Sequence, residues 1–151
     1  MSARDRLAEL GLTLPSVAAP VGSYVPAVRT GSLVFTSGQL PIVDGALAAT
    51  GKVGSEISPE EAQGLARTCA LNALAAIDDL VGIDSVVRVV KIVGFVASAA
   101  GFTGQPAVLN GASDLLASVF GEQGVHARAA VGVAELPLGA PVEVELIMEV
   151  S

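Results

Sequence analysis

The segment Ser85-Val86-Val87-Arg88-Val89-Val90-Lys91-Ile92-Val93-Gly94-Phe95-Val96-Ala97 limits this chain more than any other. Branching at Cβ costs side-chain freedom in a helix and packs well on a pleated surface, so a run of this length reads as one extended strand. Its backbone donors and acceptors need partners along both edges, which makes it a central strand. Two helices can cover such a sheet. Ser58-Pro59-Glu60-Glu61 is a helix start: Ser58 can accept a backbone N–H, Pro59 suits the first helical position, and Glu61 completes a capping box. Ala62, Leu65, Ala66, Cys69, Ala73, Ala76, Ile77 and Leu80 then recur at helical spacing to about residue 81, and Gly82 ends the helix. A second helix runs from about 105 to 120, with Pro106 near its start and Gly121 at its end. Its buried stripe is Val108, Leu109, Ala112, Leu115, Leu116, Val119 and Phe120.

The other strands are a hairpin, 25–29 and 33–37 around Thr30-Gly31-Ser32, and two final strands at 126–135 and 142–150. Residues 2–10 predict a short amphipathic helix with Leu7 and Leu10 on one side, stopped by Gly11. Residues 12–24 read as an extended lead-in and 40–57 as a loop. The order β-β-α-β-α-β-β predicts an α+β sandwich of two layers in one domain, residues 1–151.

Composition narrows the function. Apolar residues make up 52 % and charged residues 15 %, the reverse of a disordered chain. So little charge cannot cover the surface of a free subunit, which points to a sizeable subunit interface. A net charge of −7 neutralises no phosphate backbone and argues against nucleic acid as a partner. The longest uncharged run, 92–113, could span a bilayer by length. Gly94, Gly101, Gly104, Pro106 and Gly111 break it, so it reads as strand, loop and helix start rather than a membrane segment. No apolar stretch follows Arg4-Asp5-Arg6, and the expected compartment is cytoplasmic.

Stock catalytic motifs fail. Gly51-Lys52-Val53 lacks the first glycine and the hydroxyl of a phosphate loop. No serine sits in G-x-S-x-G. His126 is the only histidine, so no paired-histidine metal site exists, and Cys69 lies on the buried stripe of the first helix as a small core residue. The final strands say more. By period two, His126, Arg128, Ala130, Gly132 and Ala134 share one face, while Ala127, Ala129, Val131 and Val133 form an apolar stripe on the other. Arg128 therefore stands among small residues, where a guanidinium could clasp a carboxylate with two parallel bonds. Salt bridges from Arg128 to Glu143, Glu145 and Glu149 would account for the same residues. Tyr24, the only tyrosine, suits an interface anchor and a ligand contact equally.

Several segments together resemble one family. They are Pro20-Val21-Gly22-Ser23-Tyr24-Val25-Pro26-Ala27-Val28 and Gly31-Ser32-Leu33-Val34-Phe35-Thr36-Ser37-Gly38-Gln39-Leu40-Pro41, then Asn72, Val89 to Val96, and Asn110. Last come His126-Ala127-Arg128-Ala129-Ala130-Val131-Gly132-Val133-Ala134-Glu135-Leu136-Pro137 and Val142-Glu143-Val144-Glu145. In this order the segments resemble the RidA/YjgF family, reactive-intermediate deaminases once called L-PSP endoribonucleases, over about residues 20–150. Residues 1–19 look like an N-terminal extension, and the segments 40–57 and 98–105 look longer than in compact members, as in a longer subgroup. Ala130 stands where many members have cysteine.

The resemblance implies a chorismate-mutase-like fold, a mixed sheet with two helices on one face, and a homotrimer with clefts between subunits. The implied activity is hydrolysis of enamine and imine intermediates, such as 2-aminoacrylate, to 2-keto acids and ammonia, without metal or cofactor. By position, Arg128 would bind the substrate carboxylate, Glu143 would hold water and move protons, and Tyr24, Ser37, Gly38 and Asn110 would line the cleft. If the last two strands formed a simple hairpin, Glu143 would pair with residue 134 and lie roughly 20 Å from Arg128. The two are therefore expected to meet only in the assembled fold. Burial would raise the pKa of Glu143 and a nearby arginine would lower it; the sequence does not decide between them. A trimer that binds a small carboxylate without turnover is the alternative reading.

Overall fold

The computed structural model describes residues 1–151. Its elements are α1 (Ala3–Glu9), β1 (Ala27–Thr30), β2 (Leu33–Thr36), β3 (Ile42–Val43), β4 (Ala46–Leu47), α2 (Pro59–Val81), β5 (Val86–Ala97), α3 (Gln105–Phe120), β6 (Ala127–Val133) and β7 (Val142–Val150). Five strands form one sheet in the order β1-β2-β7-β5-β6. The β5–β6 pair is parallel and the others are antiparallel, so the sheet is mixed and the fold is α+β. β5 lies between β6 and β7, as its composition requires, although β7 occupies the middle of the sheet. A parallel pair needs a crossover, and α3 supplies it.

One face of the sheet carries the core. Val142, Val144, Leu146, Met148 and Val150 of β7 and Val89, Ile92 and Val96 of β5 are buried there against α2 and α3. The two helices approach closely at Gly111, where an added Cβ would lie 2.0 Å from the Gln63 carbonyl oxygen. The opposite face has no helix. Glu143, Glu145, Ile147 and Glu149 of β7 point that way, beside Phe95, Val93, Lys91 and Arg88 of β5. Val28, Phe35 and Val131 on the flanking strands are 53 %, 40 % and 45 % exposed.

The elements depart from expectation where local chemistry competes. Ser58 caps α2 by accepting from the Glu61 N–H at 3.1 Å, but the reciprocal bond of a capping box forms at Ser2 and Asp5 of α1 instead. That short helix makes three helices in all; it buries Leu7 and leaves Leu10 exposed beyond its end. The loop 40–57 contains a hairpin, β3–β4, turned by Asp44 and Gly45 with φ of 51° and 82°. Two consecutive positive φ values make the tight turn that Asp-Gly favours. Pro26 has no N–H for a ladder, so β1 starts at Ala27. β6 covers 127–133 rather than 126–135, because its partner β5 ends at Ala97. The uncharged run 92–113 divides as expected into the end of β5, a connection and the start of α3. No helix is long and apolar enough to cross a membrane.

Candidate functional site

The path from β2 to the segment after it creates the first part of the site. Phe35 pairs with Ile147 and Gln39 with Val144, so the register slips by one residue between them. The surplus residue is accommodated at Ser37-Gly38, a bulge that brings the backbone down onto the sheet. Leu146, opposite this irregularity, donates its N–H to the Thr36 hydroxyl at 2.9 Å. Beyond the bulge, Asn72 of α2 holds the chain by donating to the carbonyls of Leu40 and Ile42, both at 3.0 Å.

Gly38 thereby comes to lie on the carboxyl group of Glu143. A Cβ there would be 2.7 Å from the carboxyl carbon, so only glycine permits the approach without displacement. The Glu143 carboxyl is half-buried in a small hollow that Tyr24, Gly38, Gln39 and Pro20 also line. Burial pushes its pKa above the ordinary glutamate value, and the negative charge of Glu145 pushes it further the same way. The Tyr24 hydroxyl accepts from the Val21 N–H at 3.1 Å and closes the loop beside the hollow. Ser37 is adjacent but does not line it; its hydroxyl donates to the Val25 carbonyl at 2.6 Å and fixes the approach to β1.

Arg128 belongs to a second place. On the parallel register it sits opposite Ile92, which in turn faces Leu146, whereas Glu143 faces Phe95. The rows are three residues apart along β5, an odd number, so the two side chains leave opposite faces of the sheet. Two strand spacings and three residue rises put their Cα atoms about 14 Å apart. A single chain therefore does not bring Arg128 and Glu143 together. The apolar stripe of β6 is turned to the open face, and Arg128 is turned towards α3. Its Nη1 donates to Asn110 Oδ1 at 2.8 Å and to Ser113 Oγ at 3.2 Å, and its Nη2 donates to the Pro106 carbonyl at 3.3 Å. Arg128 forms no salt bridge within the chain; the ion pairs present are Arg4–Asp78 and Lys52–Glu135. Nη1 is occupied, Nε–H has no partner in the chain, and Nη2 makes only its long bond to Pro106, so the Nε/Nη2 edge is the one left to take a carboxylate bidentately.

Of the residues singled out from the sequence, Tyr24, Gly38 and Glu143 gather at one place, and Arg128 and Asn110 at another. Ser113 and His126 join the second group without having been picked out. The signal was present, since Ser113 follows Asn110 by three residues on a helix and His126 precedes Arg128 by two. Cys69 is fully buried, with its thiol directed at the Val142 carbonyl. Burial pushes its pKa well above the ordinary thiol value, and the nearby Glu143 adds to this, which makes it an inert core residue.

Comparison with known proteins gives a consistent picture. A family model described as "YjgF/chorismate mutase-like, putative endoribonuclease" matches residues 4–150. A Trypanosoma cruzi protein named TCP17 is 48 % identical over 147 residues, 96 % of this chain and 92 % of that one. A crystal structure of a protein of unknown function from Agrobacterium tumefaciens is 45 % identical, covers 99 % of this chain and 94 % of its own, and superposes with a TM-score of 0.91. The structure of Escherichia coli TdcF with bound serine is 27 % identical, covers 92 % and 96 %, and gives a TM-score of 0.64.

Proposed function

The chain belongs to the YjgF/chorismate mutase-like family, and on that premise we propose that it is a homotrimeric hydrolase of 2-imino acids, releasing 2-keto acids and ammonia. The observation that carries the reading is the division of the site. Each chain holds a half-buried carboxyl in one hollow and a guanidinium with an open bidentate edge in another. Neither alone can both anchor and hydrate a small acid. Two chains packed with the β6 edge of one beside the open sheet face of the next would supply one half each. The exposed Val28, Phe35 and Val131, with Ile147 and Phe95 between them, provide an apolar surface for that packing.

The chemistry suits these groups. Arg128 binds the substrate carboxylate and holds the acid in the cleft, a contact made equally in bound substrate and transition state. An enamine takes a proton at carbon and gives one up at nitrogen to become an imine, and the imine carbon then adds water. The resulting carbinolamine loses ammonia and leaves the keto acid. Glu143, with its pKa raised, retains a protonated fraction closer to neutral pH than an ordinary glutamate does. It can donate to carbon as an acid and accept from water as a carboxylate. An imino acid and one water give one keto acid and one ammonia, so no redox partner enters. Serine held by TdcF is itself a small carboxylate ligand on this fold.

The alternative within the same site is a trimer that holds a small carboxylate without turnover, and the role of Glu143 separates the two. A coupled assay decides between them. A dehydratase acting on serine or threonine generates the imine, semicarbazide traps it, and the fall in trapped product on adding protein is followed. Loss of trapped imine with wild type, and none with Arg128→Ala or Glu143→Gln, is the expected result. No effect across several imines, together with retained binding of 2-oxobutanoate, would establish the non-catalytic reading. Ribonuclease action, the older description attached to this family, is disfavoured by a net charge of −7.

A further inference from the structure

The hydrogen bonds that hold Arg128 continue beyond its immediate partners. Ser113 Oγ lies 2.9 Å from His126 Nε2, and His126 Nδ1 lies 2.6 Å from the Gly124 carbonyl oxygen. A carbonyl only accepts, so Nδ1 carries the ring proton. In the neutral ring Nε2 is then an acceptor, and the Ser113 hydroxyl donates to it. That commits the only hydroxyl proton of Ser113 and leaves its lone pairs to the Arg128 Nη1–H. The chain of bonds thus has one direction, from the guanidinium to Ser113, to His126 and to the backbone. Both ends are fixed to α3. Asn110 and Ser113 are on it, and Gly124 is pressed against it so closely that a Cβ would lie 2.5 Å from the Leu116 carbonyl oxygen.

We propose that His126 and Ser113 are positioning residues that set the rotation of the Arg128 guanidinium so that its Nε/Nη2 edge, and no other, meets the substrate carboxylate. This rests on the reading of Arg128 as the carboxylate anchor. Without Ser113, the bond from Nη1 to Asn110 and the longer one from Nη2 to the Pro106 carbonyl would remain, a looser hold on the plane. Ser113 adds a second acceptor at Nη1 and tightens that hold. His126 decides which atoms of Ser113 point at Arg128. The anchoring contact is the same in bound substrate and transition state, so disturbing it changes KM and not kcat.

The test uses the whole protein, labelled with 15N at histidine and arginine. Long-range proton–nitrogen spectra are expected to show His126 as the neutral Nδ1–H tautomer; an Nε2–H tautomer overturns the proposal. Ser113→Ala and His126→Leu are expected to raise the KM for imine and the Kd for 2-oxobutanoate about tenfold, the loss of one hydrogen bond to a charged group, with kcat within about twofold of wild type. His126→Gln, whose side-chain oxygen can still accept from Ser113, is expected to recover most of the binding. Equal loss in His126→Leu and His126→Gln, or no loss in Ser113→Ala, overturns the proposal. The Arg128 Nε–H signal gives a reading independent of substrate: sharp in wild type and broadened by faster proton exchange with water in Ser113→Ala and His126→Leu. If it is unchanged in those variants, the positioning role is wrong. If it broadens as expected but wild type binds no keto acid, the positioning stands and the anchoring reading of the preceding section fails.

Discussion

Glu143 shows how much one carboxyl can depend on a neighbour with no side chain. Gly38→Ala puts a methyl group into the space the carboxyl occupies. The expected outcome is a folded protein of nearly unchanged stability, because the carboxyl is the free end of a flexible side chain and can swing aside, with imine hydrolysis falling sharply; denaturant titration and the trapping assay measure the two effects. Glu143→Gln should lower turnover by roughly two to four orders of magnitude, the usual worth of a general acid–base, while isothermal titration still detects 2-oxobutanoate. The same substitution tests the pKa. Glu143 titrates higher in the folded chain than its ordinary value of 4.5. Its contribution to stability is therefore full below that value and is lost as pH rises through the raised pKa. As pH rises from about 4.5, the Gln variant should lose less stability than wild type. A wild type that loses less than the variant would mean that a cation has been brought against Glu143.

At the scale of elements, what was legible in the sequence depended on whether one signal dominated. α2 and α3 are bounded by Pro near the start and Gly after the end, and both were readable almost to the residue. β5 and β7 were readable because no other structure suits their side-chain patterns. The β3–β4 hairpin escaped because its strands are two residues long, too short for alternation to register, although Asp44-Gly45 was there to be read. The site was legible as a set of residues but not as an arrangement. Arg128 and Glu143 were identifiable, yet which face each would occupy depended on β5 intervening between their strands, a non-local fact. Two glycines within helices separate local preference from packing. Gly64 has open space around its missing Cβ, whereas Gly111 is pressed against Gln63. Gly64→Ala should stabilise by about 0.5–1 kcal/mol, and Gly111→Ala should destabilise by about 1–3 kcal/mol; chemical denaturation of the two variants checks both.

For the whole molecule, the bare face of the sheet and the divided site are one problem with one solution. Phe35→Glu places a charge among the exposed apolar residues of that face. It should yield a monomer in analytical ultracentrifugation that keeps its helical circular dichroism and hydrolyses no imine. Arg128→Ala, by contrast, should remain assembled, because its side chain leaves the other face. The separation of Arg128 from Glu143 reaches beyond a single polypeptide. On the proposed reading, a protein lacking the guanidinium and a protein lacking the carboxyl would each be inert, but each would carry what the other lost. Unfolded together and reassembled at random in equal amounts, they should regain about a quarter of wild-type activity, the chance that a given cleft draws its intact half from each kind of chain. Two defective alleles of this gene in one cell would then complement each other in imine hydrolysis, which either one twice would not do.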